Sequence, residues 1–427
     1  MAIALLFIVF GLLLLLGVPV AFALAGAALA TLLYLDVPSI VLVQQVSAGS
    51  GSASLIAIPL FIFAGELMLR GGISERLIAL ASALVGRLRG GLGQVSILSS
   101  LFFGGVSGSA IADVSAVGGT MIPQMVKRGY DRDYAVNVSI TAALVALLVP
   151  PSHNLILYSA AAGGGLSIAD LFAAGIVPAL LMTLALMVTG YVVARRRGYG
   201  VEPFPGRRAV FMRLLAALPG LGLVGLIFFG IRAGIFTAVE SAAIAVVYAL
   251  LVTGLLYRQL GVREFVGAVT HAARSSGAIL FVIAAAAVFG WLLAYLQVPA
   301  AAVEALQSFA EGKHAALLLI VLALLVLGTF MDLAPMILIC TPIFLPVAKA
   351  YGIDPVHFGL VLVLTGGIGL VTPPVGSVLF IGTAIGKISI GQCMRTIWPF
   401  WLAALLVLLV VALFPQLSLW LPAALKA

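Results

Sequence analysis

Charge is scarce in this chain. Lys, Arg, Asp and Glu together make up 8% of its 427 residues, against 63% hydrophobic residues, so no soluble domain of ordinary surface composition can be cut from it. Cysteine is nearly absent as well. Cys340 and Cys393 both stand in apolar surroundings, which excludes a disulfide framework or a thiolate metal cluster and leaves them as small buried residues. No HExxH, Cys-x-x-Cys or Ser-His-Asp set is present, and GGVSGSA follows no strand and lacks the Lys of a phosphate-binding loop. ATP-driven chemistry by this chain alone is therefore unsupported. A net charge of +8 would suggest nucleic acid in a soluble protein. Here the Arg and Lys residues cluster in short loops between apolar runs, so the charge reports topology and implies no nucleic acid.

What is present is apolar sequence, with a mean hydropathy of +1.28. The reading is an all-α polytopic membrane protein whose solvent is the lipid bilayer. The run from Met1 to Tyr34 would be about 51 Å long as one helix, beyond a hydrocarbon core of about 30 Å. Gly17 and Pro19 offer a break, leaving one tilted helix or two, and no cleavage signal follows, so a retained anchor is expected. Further crossings are expected at 52–70, 134–160, 168–194, 214–231, 236–257, 276–296, 354–385 and 396–422, about nine to eleven in all.

Two segments do not fit as simple spans. Residues 92–126 are apolar arms around GGVSGSA, and 314–347 are apolar arms around GTFMDLAP. Both predict re-entrant helical hairpins, whose non-helical tips must be buried in protein or line a wet cavity. The two are related by an internal repeat. At an offset of 223 residues, Ser109 pairs with Asp332, Gly105 with Gly328, Pro123 with Pro346, Gly129 with Gly352, Asp131 with Asp354, and Pro150-Pro151 with Pro373-Pro374. A repeat this long is a whole-bundle duplication. It divides the chain into a first repeat at 1–194, a basic linker at 195–213 and a second repeat at 214–427. Basic residues flank the first hairpin and fill the linker RRRGYGVEPFPGRR (195–208), whereas the second hairpin has no positive excess at its ends. The halves are thus expected to be inverted, the arrangement that lets a midplane site face either side in turn.

An amphipathic stretch precedes each hairpin. Ser74 can cap a helix whose Leu77, Ile78, Ala81, Leu84, Val85 and Leu88 share one face, with a weaker counterpart at 298–311. Both suit interfacial arms linking a moving core to a fixed frame, or ordinary loop helices.

The diprolines in LVPPSHN (148–154) and LVTPPVG (370–376) lie mid-span, where missing N–H groups leave carbonyls without helical partners. The tips Gly105 to Ser109 and Gly328 to Asp332 add carbonyls, the hydroxyls of Ser107, Ser109 and Thr329, and one carboxylate. Such oxygen-only sets suit a hard cation such as sodium.

These residues resemble the large membrane subunit of tripartite ATP-independent periplasmic (TRAP) transporters. The resemblance runs nearly end to end, through GVPVAFALAG (17–26), PLFIFAGELM (59–68), GGVSGSAIADVSAVG (104–118), PPSHNLILYS (150–159), GIFTAVESAAIAVVYALL (234–251), GTFMDLAPMILI (328–339) and GLVTPPVGSVLF (369–380). It implies a sodium-driven, elevator-type importer in the bacterial inner membrane that receives a small organic acid from a soluble periplasmic binding protein. It also implies a smaller membrane subunit of about four helices, an inference by analogy. On this footing Ser107, Ser109, Val149, Pro150 and Ser152 are expected to form one sodium site. Gly328, Thr329, Asp332, Thr372 and Pro373 are expected to form the other, with substrate between the tips near Ser107, Ser152, His153 and Asp332.

Glu66, Asp113 and Glu240 lie in apolar surroundings and are open between a structural role and the transport site. His153 is open between a substrate donor and a packing histidine. Two other functions stay in play: a self-sufficient ion-coupled carboxylate carrier, and an intramembrane hydrolase using Asp113 and Asp332.

Overall fold

Gly17 adopts φ +78°, a conformation costly for any side chain, and Pro19 occupies the cap position of the helix that follows. The first apolar run therefore forms two helices, Ala2–Leu15 and Val20–Tyr34, packed against each other. The computed structural model describes residues 1–38, 40–201, 203 and 205–426, and every regular element among them is helical. Glu202 and Phe204 of the basic linker lie outside the described residues.

Five described helices are long and apolar enough to cross a membrane, or up to eight spans if each bent pair is one. Beside them stand the shorter apolar helices Ala2–Leu15, Val20–Tyr34, Gly91–Ser107, Lys313–Gly328 and Pro355–Gly369, because several apolar runs are short or broken. The run at 396–422 divides into Trp398–Leu413 and Gln416–Ala424, which meet at 60°, with Pro415 at the joint. The run at 276–296 is only the later part of Val262–Tyr295, a helix of 34 residues. Its earlier turns carry Arg263, Glu264, His271 and Arg274, which hide them from a hydropathy reading. The helix Ile40–Ser50 is missed for the same reason, through Gln44, Gln45 and Ser47.

The first hairpin runs in along Gly91–Ser107 and returns through Ala110–Asp113, a widened turn at Val114–Gly118, and Gly119–Lys127. The second runs in along Lys313–Gly328 and returns along Leu333–Ala350. In each, the returning arm packs back on the incoming one. The first broken helix consists of Arg132–Ala142, a short turn at Val145–Leu147, and His153–Ala161. The second consists of Pro355–Gly369 and Ser377–Gly386. Both Pro-Pro peptides are cis.

Residues 223 apart take matching roles. Gly129 and Gly352 both adopt positive φ, +84° and +69°. Asp131 and Asp354 each occupy the cap position of a broken helix. Ser109 and Asp332 each cap a returning hairpin arm, with the side chain accepting a backbone N–H.

The amphipathic arm before the first hairpin is Ile73–Val85, but its cap is Gly72 at φ +80°. Ser74 is the second residue of the helix, two positions past that cap, and is buried, which corrects the capping role expected for it. Leu77, Ile78 and Ala81 are buried as the pattern requires, whereas Leu84 is exposed. This arm packs on both Gly91–Ser107 and Arg207–Arg232. Its counterpart, Val298–Gln307, packs on Leu333–Ala350 and Val262–Tyr295. Each arm thus joins a hairpin to the same outer group, in which Arg207–Arg232 packs on Ala238–Leu250, and Ala57–Arg70 packs on both Ala238–Leu250 and Val262–Tyr295.

Where the second tip meets its broken helix, a Cβ on Gly369 would lie 2.5 Å from the Gly328 carbonyl oxygen. Backbone faces backbone there, so neither side can yield by a rotamer change. Gly369→Ala is expected to lower stability by about 1–3 kcal/mol, read as earlier thermal unfolding in detergent. Gly391→Ala, with nothing within 4 Å of its added carbon, should leave the midpoint unchanged.

Candidate functional site

Glycine lets the first tip touch the first break. Gly108 turns the chain at φ +58°, and a Cβ there would lie 2.7 Å from the Pro151 carbonyl oxygen. The Gly108 carbonyl accepts from Asn154 Nδ2 at 3.1 Å, tying tip and break together. A Cβ on Gly105 would lie 3.2 Å from the Pro150 carbonyl oxygen. Among the described residues, the carbonyls of Pro150 and Pro151 accept no backbone hydrogen bond. Ser109 Oγ accepts from the Ala112 amide at 3.3 Å, and the Ser109 amide donates to Ser107 Oγ at 3.4 Å.

The second tip is held in the same manner by different atoms. The Thr329 carbonyl accepts from the Val375 amide at 3.0 Å, while Thr329 Oγ1 donates to the Val326 carbonyl at 2.8 Å. Asp332 Oδ1 accepts from the Leu333 amide at 2.9 Å and from Ser377 Oγ at 3.3 Å. Among the described residues its Oδ2 makes no hydrogen bond to protein. Thr372 Oγ1, beside Pro373, donates to the Ile368 carbonyl at 2.8 Å and accepts from Trp401 Nε1 at 3.1 Å.

Both tips open on one cavity of about 410 Å³, large enough for a small organic molecule. Its core-side wall holds Ser107, Ser109, His153, Asn154 and Asp332, and its opposite wall holds Glu66, Arg70 and His271 from Ala57–Arg70 and Val262–Tyr295. His153 lies within hydrogen-bonding range of the Ser107 backbone, and its Nδ1 is buried without a partner. Ser152 does not reach this wall. It is fully buried and its Oγ donates to the Leu147 carbonyl at 2.7 Å. Val149 is half-buried and Pro150 buried at the same break.

The three open carboxylates separate. Glu66 lines the cavity as an ion-paired residue, with Oε2 3.2 Å from Arg70 Nε and Oε1 2.9 Å from His271 Nδ1. Glu240 completes a capping box with Thr237 at the start of its helix, which is a structural role. Asp113 is wholly buried inside the first hairpin, where Oδ2 accepts from Ser100 Oγ at 2.6 Å. It is not on the wall that carries Asp332, so no carboxylate pair is assembled. Arg70, His271, Asn154 and Ser377 are site residues that the sequence reading missed. Only Glu66 and Arg70 carried a signal, their four-residue spacing on one helix.

Hairpins whose tips meet broken helices around a shared cavity, in an apolar helical bundle, define a polytopic membrane transporter. Over residues 7–417 the chain matches the family described as tripartite ATP-independent periplasmic transporter, DctM component, and it belongs to that family. It is 37% identical to the sialic acid TRAP transporter large permease protein SiaM of Vibrio cholerae over 95% of each chain. It is 33% identical to the 2,3-diketo-L-gulonate TRAP transporter large permease protein YiaN of Escherichia coli over 94% of each. With the C4-dicarboxylate TRAP transporter large permease protein DctM of Vibrio cholerae it shares 35% identity, over 99% of this chain and 98% of that one. Its fold is similar to that of the YdaH transporter of Alcanivorax borkumensis, with a TM-score of 0.61 at 17% identity over 92% of this chain and 90% of that one. These relatives are permeases, which removes the intramembrane hydrolase reading; the chain is not an enzyme.

Ser115 is an exposed residue on the cavity wall, and both native cysteines are buried. A Ser115→Cys variant should therefore react with a water-soluble thiol reagent at least about ten-fold faster than a Ser99→Cys variant, whose position is closed to solvent. Equal rates measured by mass spectrometry would show that the cavity holds no water.

Proposed function

We propose that this chain is the large membrane subunit of a sodium-coupled importer of small carboxylates in the bacterial inner membrane. A soluble periplasmic binding protein supplies the solute, and a small membrane subunit of about four helices completes the complex, by analogy with the family. The observation that carries the reading is the single cavity shared by the hairpin tips on one side and Ala57–Arg70 and Val262–Tyr295 on the other. A solute held there touches two packed groups at once. Relative movement of those groups, of the elevator kind, would carry it from one side of the bilayer to the other. The relatives' printed substrates, sialic acid, diketogulonate and C4-dicarboxylates, support an organic acid as cargo.

Sodium fits the donor chemistry of the tips and breaks. Ser107, Ser109, Val149, Pro150 and Ser152 offer carbonyl and hydroxyl oxygens, and Gly328, Thr329, Asp332, Thr372 and Pro373 offer the same with one carboxylate. Oxygen-only sets of this kind suit hard cations, and the unpaired Pro150 carbonyl and Asp332 Oδ2 have donor capacity to spare. Ser107, His153 and Asp332, on the cavity wall, are then placed to touch the solute. Ser152 contributes through the break and not through the wall. Sodium drives transport by favouring the state in which the tips hold solute, since a ligand shifts an equilibrium only through differential affinity.

Asp332→Asn keeps the side-chain shape and removes the charge. Sodium-driven uptake of the cognate solute in proteoliposomes, with the binding protein and small subunit present, should fall by two orders of magnitude or more, or about 3 kcal/mol, while the variant stays monodisperse in detergent. Full uptake driven by a proton gradient without sodium would overturn the coupling. Robust uptake by this subunit alone would favour the self-sufficient carrier.

A further inference from the structure

The wall facing the hairpin tips carries a cation whose donors are mostly unspent. Among the described residues Arg70 has only its Nε engaged, by Glu66 Oε2 at 3.2 Å, and its side chain is 36% exposed. Glu66 meets Arg70 through Nε alone, and its other oxygen, Oε1, faces His271 Nδ1 at 2.9 Å. His271 reaches across from a different helix, so the carboxylate is clamped from two directions and itself nearly buried. Glu66 thereby orients the guanidinium without consuming it. Among the described residues the two Nη groups make no hydrogen bond to protein, and one of them lies over Gly267, where an added Cβ would come within 2.7 Å. Only a glycine leaves room for the guanidinium in that position.

A guanidinium edge with free, coplanar N–H groups is the best protein fork for a carboxylate. The exposed edge faces the cavity, where an entering carboxylate can reach it. The other acidic group on the cavity, Asp332, already has Oδ1 committed to Leu333 and Ser377, and no Asp332–Arg70 pair occurs among the described residues. We propose that Arg70 is an anion-receiving residue on the transport path, taking a solute carboxylate on its free guanidinium edge while Glu66 and His271 hold it in place. The inference rests on reading this cavity as the path for carboxylates, and it adds the residue that makes the path selective for anions.

The test uses the charge preference of the cavity, which needs no knowledge of the solute. In the full chain in nanodiscs carrying Ser115→Cys, labelling rates are compared for an anionic sulfonate and a cationic trimethylammonium methanethiosulfonate reagent. Arg70→Gln should lower the anionic-to-cationic rate ratio by about five-fold, the scale expected when one unit charge is removed several ångströms away in a wet site. Arg70→Lys keeps the charge and should keep the ratio, which separates a field effect from a packing defect and serves if Arg70→Gln folds poorly. A millimolar small dicarboxylate such as succinate should slow labelling in the unmodified wall and not in Arg70→Lys, where the fork is lost. An unchanged ratio in Arg70→Gln would overturn the proposal while leaving the transport cavity intact. No labelling by either reagent would instead show that the cavity is closed to water, and both readings would fall together.

Discussion

Backbone oxygen at membrane depth is the constraint on which the rest of this fold depends. Each diproline removes donors from the middle of an apolar span, and lipid cannot supply replacements. The carbonyls so exposed must be covered by protein or solvated in a cavity. The hairpin tips meet that demand. Gly108 and Gly328 bring main chain against main chain, and Asn154 and Val375 stitch tip to break with hydrogen bonds. Covering the breaks in this way gathers the carbonyls freed by the two diprolines at two tip–break contacts.

The same constraint explains the chemistry available there. Ser109 and Asp332 occupy the same position in the repeat and do the same local job, capping a returning arm. One is neutral and the other is a carboxylate with an oxygen to spare. The duplication therefore gives matched geometry with unequal charge, as expected if one half coordinates through neutral oxygen and the other also supplies a counter-charge. The outer helices complete the site from across the cavity with Glu66, Arg70 and His271, so the cavity belongs to neither packed group alone.

Much of this was legible in the sequence because it was written twice. The offset of 223 residues aligned tips, caps and diprolines, and those elements fall where the repeat places them. Single apolar runs were less informative. Polar residues in the first turns of Val262–Tyr295 and along Ile40–Ser50 concealed helix that hydropathy alone does not reveal. Ser74 looked like a cap, but Gly72, able to adopt positive φ, ends the preceding turn first. The outer wall of the site was hidden for a different reason. Glu66 and His271 are brought together only by the packing of two helices far apart in sequence, and no local pattern records that contact. Ser152, beside a diproline, is expected near solute, and in the fold its hydroxyl is turned onto the Leu147 carbonyl.

In the proposed transport cycle the hairpins and broken helices move as one group against the outer helices, with sodium and solute bound between them. Spin labels at exposed Lys387, beside the second broken helix, and at exposed Arg263, on the outer group, report that displacement directly by electron–electron distance measurement. Adding sodium and transported solute to the assembled complex should shift the Lys387–Arg263 distance distribution. The distance between Arg208 and Arg263, both on outer helices, should stay fixed. Unchanged Lys387–Arg263 distances in a preparation that actively takes up solute would rule out that movement.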